Sequence, residues 1–89
     1  MTEESEIELH RKRLRYRSWH RGMREMDLIM GRFADTHLAE FGAAELAEYD
    51  AILELEDPQL YGWISGREPL PEDHGGPVMN LIMKFKYTS

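Results

Sequence analysis

The sequence predicts an all-α fold: a compact five-helix bundle in a single domain over residues 1–89. Three observations carry this reading. Apolar residues recur at spacings of three and four, as one face of a 3.6-residue helix requires. No segment alternates apolar and polar residues over the length of a strand. Glycines and prolines, chiefly Gly22, Gly42, Pro58, Gly66 and Pro77, fall where periodic segments start or stop.

Residues 5–19, SEIELHRKRLRYRSW, suit a first helix, with Ser5 as its cap, acids in its first turn and bases toward its end, the order a helix dipole favours. Its apolar stripe is thin: Ile7, Leu14 and Trp19. The next segment, Gly22 to Phe41, repeats apolar side chains at Met23, Met26, Met30, Phe33, Leu38 and Phe41, and Ile29 broadens the face. At about 19 residues it is expected to be the longest element. Gly31 inside it costs about 1 kcal/mol relative to alanine, which predicts the close approach of another backbone. Residues 43–56 then place Leu46, Tyr49, Ile52 and Leu53 on one face of a third helix. Asp57 and Pro58 read as cap and first residue of a short fourth helix stopped at Gly66. Residues 66–76, with two prolines and three glycines, form a surface loop. Pro77 opens the fifth helix, with Val78, Leu81, Ile82 and Phe85 at i, i+3, i+4 and i+7 and with Lys84 and Lys86 in its last turns. Residues 1–4 and 87–89 are expected to fray.

The totals exclude several functions. A chain of 89 residues buries only about 60 to 65% of the surface its unfolded form exposes, too little for a large enclosed active site. Hydrophobic residues at 42% and charged residues at 31% are ordinary for a globular domain, and no apolar run approaches the roughly 20 residues that span a bilayer. The absence of cysteine removes disulfides, thiolate nucleophiles and cysteine-based zinc sites together. Glu3, Glu4, Glu6 and Glu8 at the start are the reverse of a secretory signal or transit peptide, which predicts a bacterial cytoplasmic protein.

The net charge of −6 is unevenly spread. Arg11, Lys12, Arg13, Arg15, Arg17, Arg21 and Arg24 form a basic stretch without an acid, whereas residues 25–57 carry ten acids against the single Arg32. The basic stretch suits a solvated helix face, a patch for an acidic protein partner, or a nucleic-acid contact with Tyr16 and Trp19 as stacking surfaces. The acidic remainder opposes the last of these.

Motifs for catalysis are missing: there is no phosphate-binding glycine loop, no H-E-x-x-H pair and no nucleophile elbow. His10, His20, His37 and His74 stand in four segments without helix-face spacing, so they read as exposed or singly hydrogen-bonded rather than as ligands. The methionines on the apolar stripes, with Met79 and Met83 flanking that of the fifth helix, read as core filling. Trp63 also belongs to the core, and Tyr61 to the core or to an interface edge.

RGMREMD, residues 21–27, is less ordinary. Gly22 between two helices and Glu25 near a free helix N-terminus fit capping, but capping requires neither Arg21 nor Arg24. A turn that exposes Arg21, Arg24 and Glu25 from a bare glycine surface suits docking against another backbone.

RGMREMDLIMGRF resembles the R-G-x-x-E signature of the small FAD assembly factors of succinate dehydrogenase, called SdhE in bacteria and succinate dehydrogenase assembly factor 2 in mitochondria. ILELEDPQLYGWIS, residues 52–65, is similar to that family's second block, D-P-x-L-[FY]-x-W, in the right order and at a fitting separation. The resemblance covers roughly residues 10–85. It departs at His20, where many relatives have a second arginine, and at Gly42-Ala43-Ala44, which implies a poorly capped third helix.

The resemblance implies a five-helix bundle that promotes covalent attachment of FAD to the flavoprotein subunit of succinate dehydrogenase and of the related fumarate reductase. It implies that Arg21, Gly22 and Glu25, with Met23 and Arg24 between them, contact that subunit. On this reading Arg21 makes charged hydrogen bonds to the client, and Glu25 pairs with a client base or holds Arg21. The chain is then no enzyme, holds no firmly bound cofactor, inserts in no membrane and works as a monomer. The alternative is a small nucleic-acid-binding or antitoxin-like regulator that uses residues 11–24.

Overall fold

Helix α1 runs over Glu3–Trp19 in a computed structural model that describes residues 3–85. Ser5 therefore lies inside the helix rather than at its cap, and Glu3 and Glu4 form its first residues. Residues 1–2 and 86–89, Lys86 among them, lie outside the described residues. Four helices follow: α2 (Arg24–His37), α3 (Ala43–Leu53), α4 (Asp57–Ile64) and α5 (Pro77–Lys84). Short 3₁₀ turns at Leu38–Glu40 and Glu72–His74 complete the path, and the described residues contain no strand.

With 17 residues against 14, α1 and not α2 is the longest element. The second segment loses residues at both ends. Gly22 at φ +100° and the extended Met23 stay out of the helix, and after His37 the chain tightens into a 3₁₀ turn. The expected stripe still faces inward, since Met26, Met30, Phe33, Leu38 and Phe41 are all buried.

One hydrophobic cluster gathers these residues with Leu14, Leu46, Tyr49, Leu60, Trp63 and Val78. Tyr61 packs on its margin. A hydroxyl knot ties three helices within this core. Ser18 Oγ donates to Leu14 O at 2.7 Å and lies 2.6 Å from Tyr49 Oη, which donates to Met30 O at 3.3 Å. Burial raises the Tyr49 pKa, so its phenol stays protonated and keeps donating.

Gly31 does meet a close neighbour, but the neighbour is a side chain rather than a backbone. A Cβ at Gly31 would lie 2.2 Å from the Trp19 indole, which lies between α1 and α2 and points Nε1 at Asp35. Gly31→Ala is therefore expected to displace that ring and lower stability by about 1 to 3 kcal/mol, despite alanine's better helix propensity. Guanidinium denaturation checks this; an equally or more stable variant would show that the indole has room to yield.

The fifth helix is rotated relative to its predicted face. Val78, Met79 and Ile82 are buried, whereas Leu81 is 38% exposed and Phe85 only partly covered. Glu48 of α3 sets this register: its Oε2 accepts the Val78 and Met79 N–H groups at 3.0 and 3.2 Å, closing the helix N-terminus from outside. Gly42 offers α3 no side-chain cap, but Glu45 Oε1 reaches back to the Gly42 N–H at 2.8 Å, so half of a capping box survives.

Candidate functional site

α1 ends at Trp19 and α2 begins at Arg24, leaving four residues to turn the chain. The turn needs a left-handed residue, and Gly22 supplies it at φ +100°. A Cβ at Gly22 would meet nothing within 4 Å, so the surface above it is open as well. Asp27, one helical turn into α2, fixes the loop from behind: its Oδ1 accepts the Arg21 N–H at 2.6 Å and the Gly22 N–H at 3.2 Å. α2 thus has no side-chain cap, and the carboxylate that holds the preceding loop is Asp27 and not Glu25.

Arg21 points inward. Its Nε donates to Asp57 Oδ1 at 2.5 Å, Nη1 to Leu53 O at 3.1 Å and Nη2 to Leu55 O at 2.7 Å. The Arg21 and Asp57 side chains are only 8% and 13% exposed. Leu53 closes α3, so the guanidinium also supplies a donor to a carbonyl left free at a helix C-terminus. Arg21 thus holds the turn in place, and one expectation is corrected: the Asp57 carboxylate serves Arg21 instead of capping α4, whose N-cap is Glu56. The two blocks singled out in the sequence are therefore in contact.

Arg24 and Glu25 remain on the outside. Both are exposed, and neither side chain has a hydrogen bond or ion pair among the described residues. Met23 is partly buried against the core and anchors the turn. Of the five expected docking residues, Gly22, Arg24 and Glu25 form the accessible surface, while Arg21 and Met23 hold it.

The basic stretch divides in the same way. Arg11 donates to Leu38 O and Phe41 O, both at 2.9 Å, and pairs with Glu8, closing the end of the 3₁₀ turn. Arg17 bonds Asp50 at 2.8 Å and Glu54 at 2.5 Å, and His10 Nε2 lies 3.2 Å from the other Asp50 oxygen. The Arg17 hydrogen bond, opposed by partial desolvation, holds the Asp50 carboxyl below its ordinary pKa. Arg11, Arg17 and Arg21 thus join the basic front to the acidic body, leaving Lys12, Arg13, Arg15 and Arg24 exposed.

No histidine converges on another. His10 meets Asp50, His20 meets Tyr16 O, His37 packs on Phe33 at 4.7 Å, and His74 packs on Trp63 at 4.9 Å. The described residues contain no group of three side chains fit to hold a metal. They also contain no helix long and apolar enough to cross a membrane.

Fold and site together define a class: a small helical bundle with a stiffly backed turn that exposes a glycine and two charges of opposite sign, neither in an ion pair among the described residues. The chain belongs to the Sdh5 family, described as flavinator of succinate dehydrogenase, whose family model matches residues 12–86. It is 36% identical over 81 residues to the FAD assembly factor SdhE of Acetobacter pasteurianus, covering 91% of this chain and 74% of that protein. It is 38% identical over 78 residues to a mitochondrial succinate dehydrogenase assembly factor 2 of Dictyostelium discoideum, covering 88% of this chain and 55% of that one. A third relative, the mitochondrial assembly factor 2 of Scheffersomyces stipitis, is 44% identical over 69 residues, 74% of this chain and 46% of its own length. The chain thus spans about half the length of these two mitochondrial relatives.

Proposed function

We propose that this chain is an assembly factor that binds the flavoprotein subunit of succinate dehydrogenase, and of the related fumarate reductase, and promotes covalent attachment of FAD. The observation that carries this reading is the Arg21–Glu25 turn, whose outward groups are unsatisfied and whose inward groups are locked. Such a surface is shaped before its partner arrives, so little ordering entropy opposes docking.

The chain acts as an effector and not as the catalyst. Flavin and the acceptor side chain both belong to the client, and this protein binds more tightly the client conformer in which they are aligned. Tighter binding of that conformer raises its population by the same factor, and alignment accelerates the bond-forming step. Gly22 lets a client backbone come close, and Arg24 and Glu25 form charged hydrogen bonds with it. The chain works as a cytoplasmic monomer and holds no FAD firmly of its own. A nucleic-acid role is less well supported, because Arg11, Arg17 and Arg21 are already engaged internally.

The direct test combines the purified flavoprotein subunit and FAD with this chain or its Glu25→Ala variant, measuring the dissociation constant and in-gel flavin fluorescence. The wild-type chain is expected to bind and to speed flavinylation, and the variant to bind about tenfold more weakly. No binding by the wild-type chain, with flavinylation unchanged, sinks the proposal.

A further inference from the structure

Leu9, Arg13, Tyr16 and His20 follow one another at steps of four, three and four, so they share one stripe of α1 continued into the turn. This stripe faces away from the core. Leu9 is 40% exposed and Tyr16 65%, two of the three large hydrophobic residues exposed among those described. The Tyr16 ring lies flat on the His20 imidazole, with centroids 4.0 Å apart and planes 16° from parallel. His20 Nδ1 donates to Tyr16 O at 2.8 Å, which fixes the ring in place. The result is a stacked aromatic pair on the exposed side of α1.

Its surroundings are cationic. The Lys12 and Arg13 side chains are exposed and have no hydrogen bond or ion pair among the described residues, in contrast to the clamped Arg11 and Arg17. The plate is continuous with the docking turn, because His20 directly precedes Arg21 and Gly22.

We propose that this face of α1 is the second half of the docking surface and receives an acidic segment of the flavoprotein subunit. That segment places carboxylates against Lys12 and Arg13 and an apolar or aromatic side chain on the Tyr16–His20 plate. Stacking supplies contact area with few rotors to freeze, while the cations steer the encounter and fix its register. Leu9 lies about two turns farther along α1 on the same stripe. The proposal rests on the function given above.

The test is a titration of the flavoprotein subunit with the wild-type chain and with Arg13→Glu, Tyr16→Ala and Glu25→Ala variants, from about 0.05 to about 0.5 M salt. Circular dichroism first confirms that each variant is folded. Arg13→Glu and Tyr16→Ala are each expected to weaken binding about tenfold at low salt. Arg13→Glu should also flatten the salt dependence, which Tyr16→Ala should leave steep.

If Arg13→Glu and Tyr16→Ala bind like the wild type while Glu25→Ala binds weakly, the α1 face is excluded and the docking turn stands. No binding by the wild-type chain overturns both. A wild-type dimer that Arg13→Glu dissociates in sedimentation would make a second copy the occupant and overturn the proposal. Loss of wild-type affinity for duplex DNA or for anionic vesicles in Arg13→Glu, with flavoprotein binding untouched, would overturn it too.

Discussion

An Arg21→Ala variant is expected to lose about 3 kcal/mol of folding stability, a large share of the roughly 5 to 15 kcal/mol typical of a domain. The loss has three sources. Asp57, 13% exposed, is left as an uncompensated charge, and the Leu53 and Leu55 carbonyls each lose a donor. The corner between α3 and α4 also loses the strut that ties it to the turn after α1. Arg21→Lys should recover only part of this, because one ammonium cannot reproduce a planar fork that serves three acceptors. Adding Asp57→Ala to Arg21→Ala should restore some stability by removing the stranded charge, a non-additivity that a double-mutant cycle measures. Denaturant midpoints decide the matter. An Arg21→Ala protein as stable as the wild type but unable to bind its client would mean that the guanidinium faces outward in solution.

Gly22→Arg is expected to abolish client binding and flavinylation while leaving the bundle folded. The new side chain points into open space, so nothing in the fold blocks it. Its backbone cost arises because φ +100° suits only glycine well, and is about 1 to 2 kcal/mol, or roughly 5 to 15 °C in melting temperature for a domain of this size. Gly22→Ala carries the same strain with far less bulk, and so separates the two effects. Alanine should melt near the arginine variant yet retain part of the binding. A folded Gly22→Arg protein that still drives full flavinylation would remove Gly22 from the interface.

Much of this was legible along the chain. Three-four spacing located the second, third and fifth helices, cap, charge-order and stop signals located the first and fourth, and the stripe Met26, Met30, Phe33 is buried as its periodicity requires. The Arg21–Glu25 turn stood out because capping alone did not account for its arginines. Three misreadings share one cause: each was a local inference overruled by a residue distant in sequence. Asp57 before Pro58 has the local form of a helix cap, but its partner is Arg21, 36 residues earlier. Gly31 announced a close approach without revealing that the neighbour is the Trp19 side chain, 12 residues away. The rotation that buries Met79 and leaves Leu81 exposed follows from Glu48, 30 residues earlier, holding the Val78 N–H.

The sequence by itself determined the number and order of the helices, the core residues outside the fifth helix and the glycine that lets the chain turn at position 22. These depend on periodicity and backbone conformation, which are properties of neighbouring residues. Only the tertiary structure decided which charges are structural and which are free to meet a partner. An arginine's reach is long and its best acceptors lie on other helices, so whether it clamps the fold or faces solvent is settled only when those helices pack. Arg11, Arg17 and Arg21 clamp the fold, whereas Lys12, Arg13, Arg24 and Glu25 face outward.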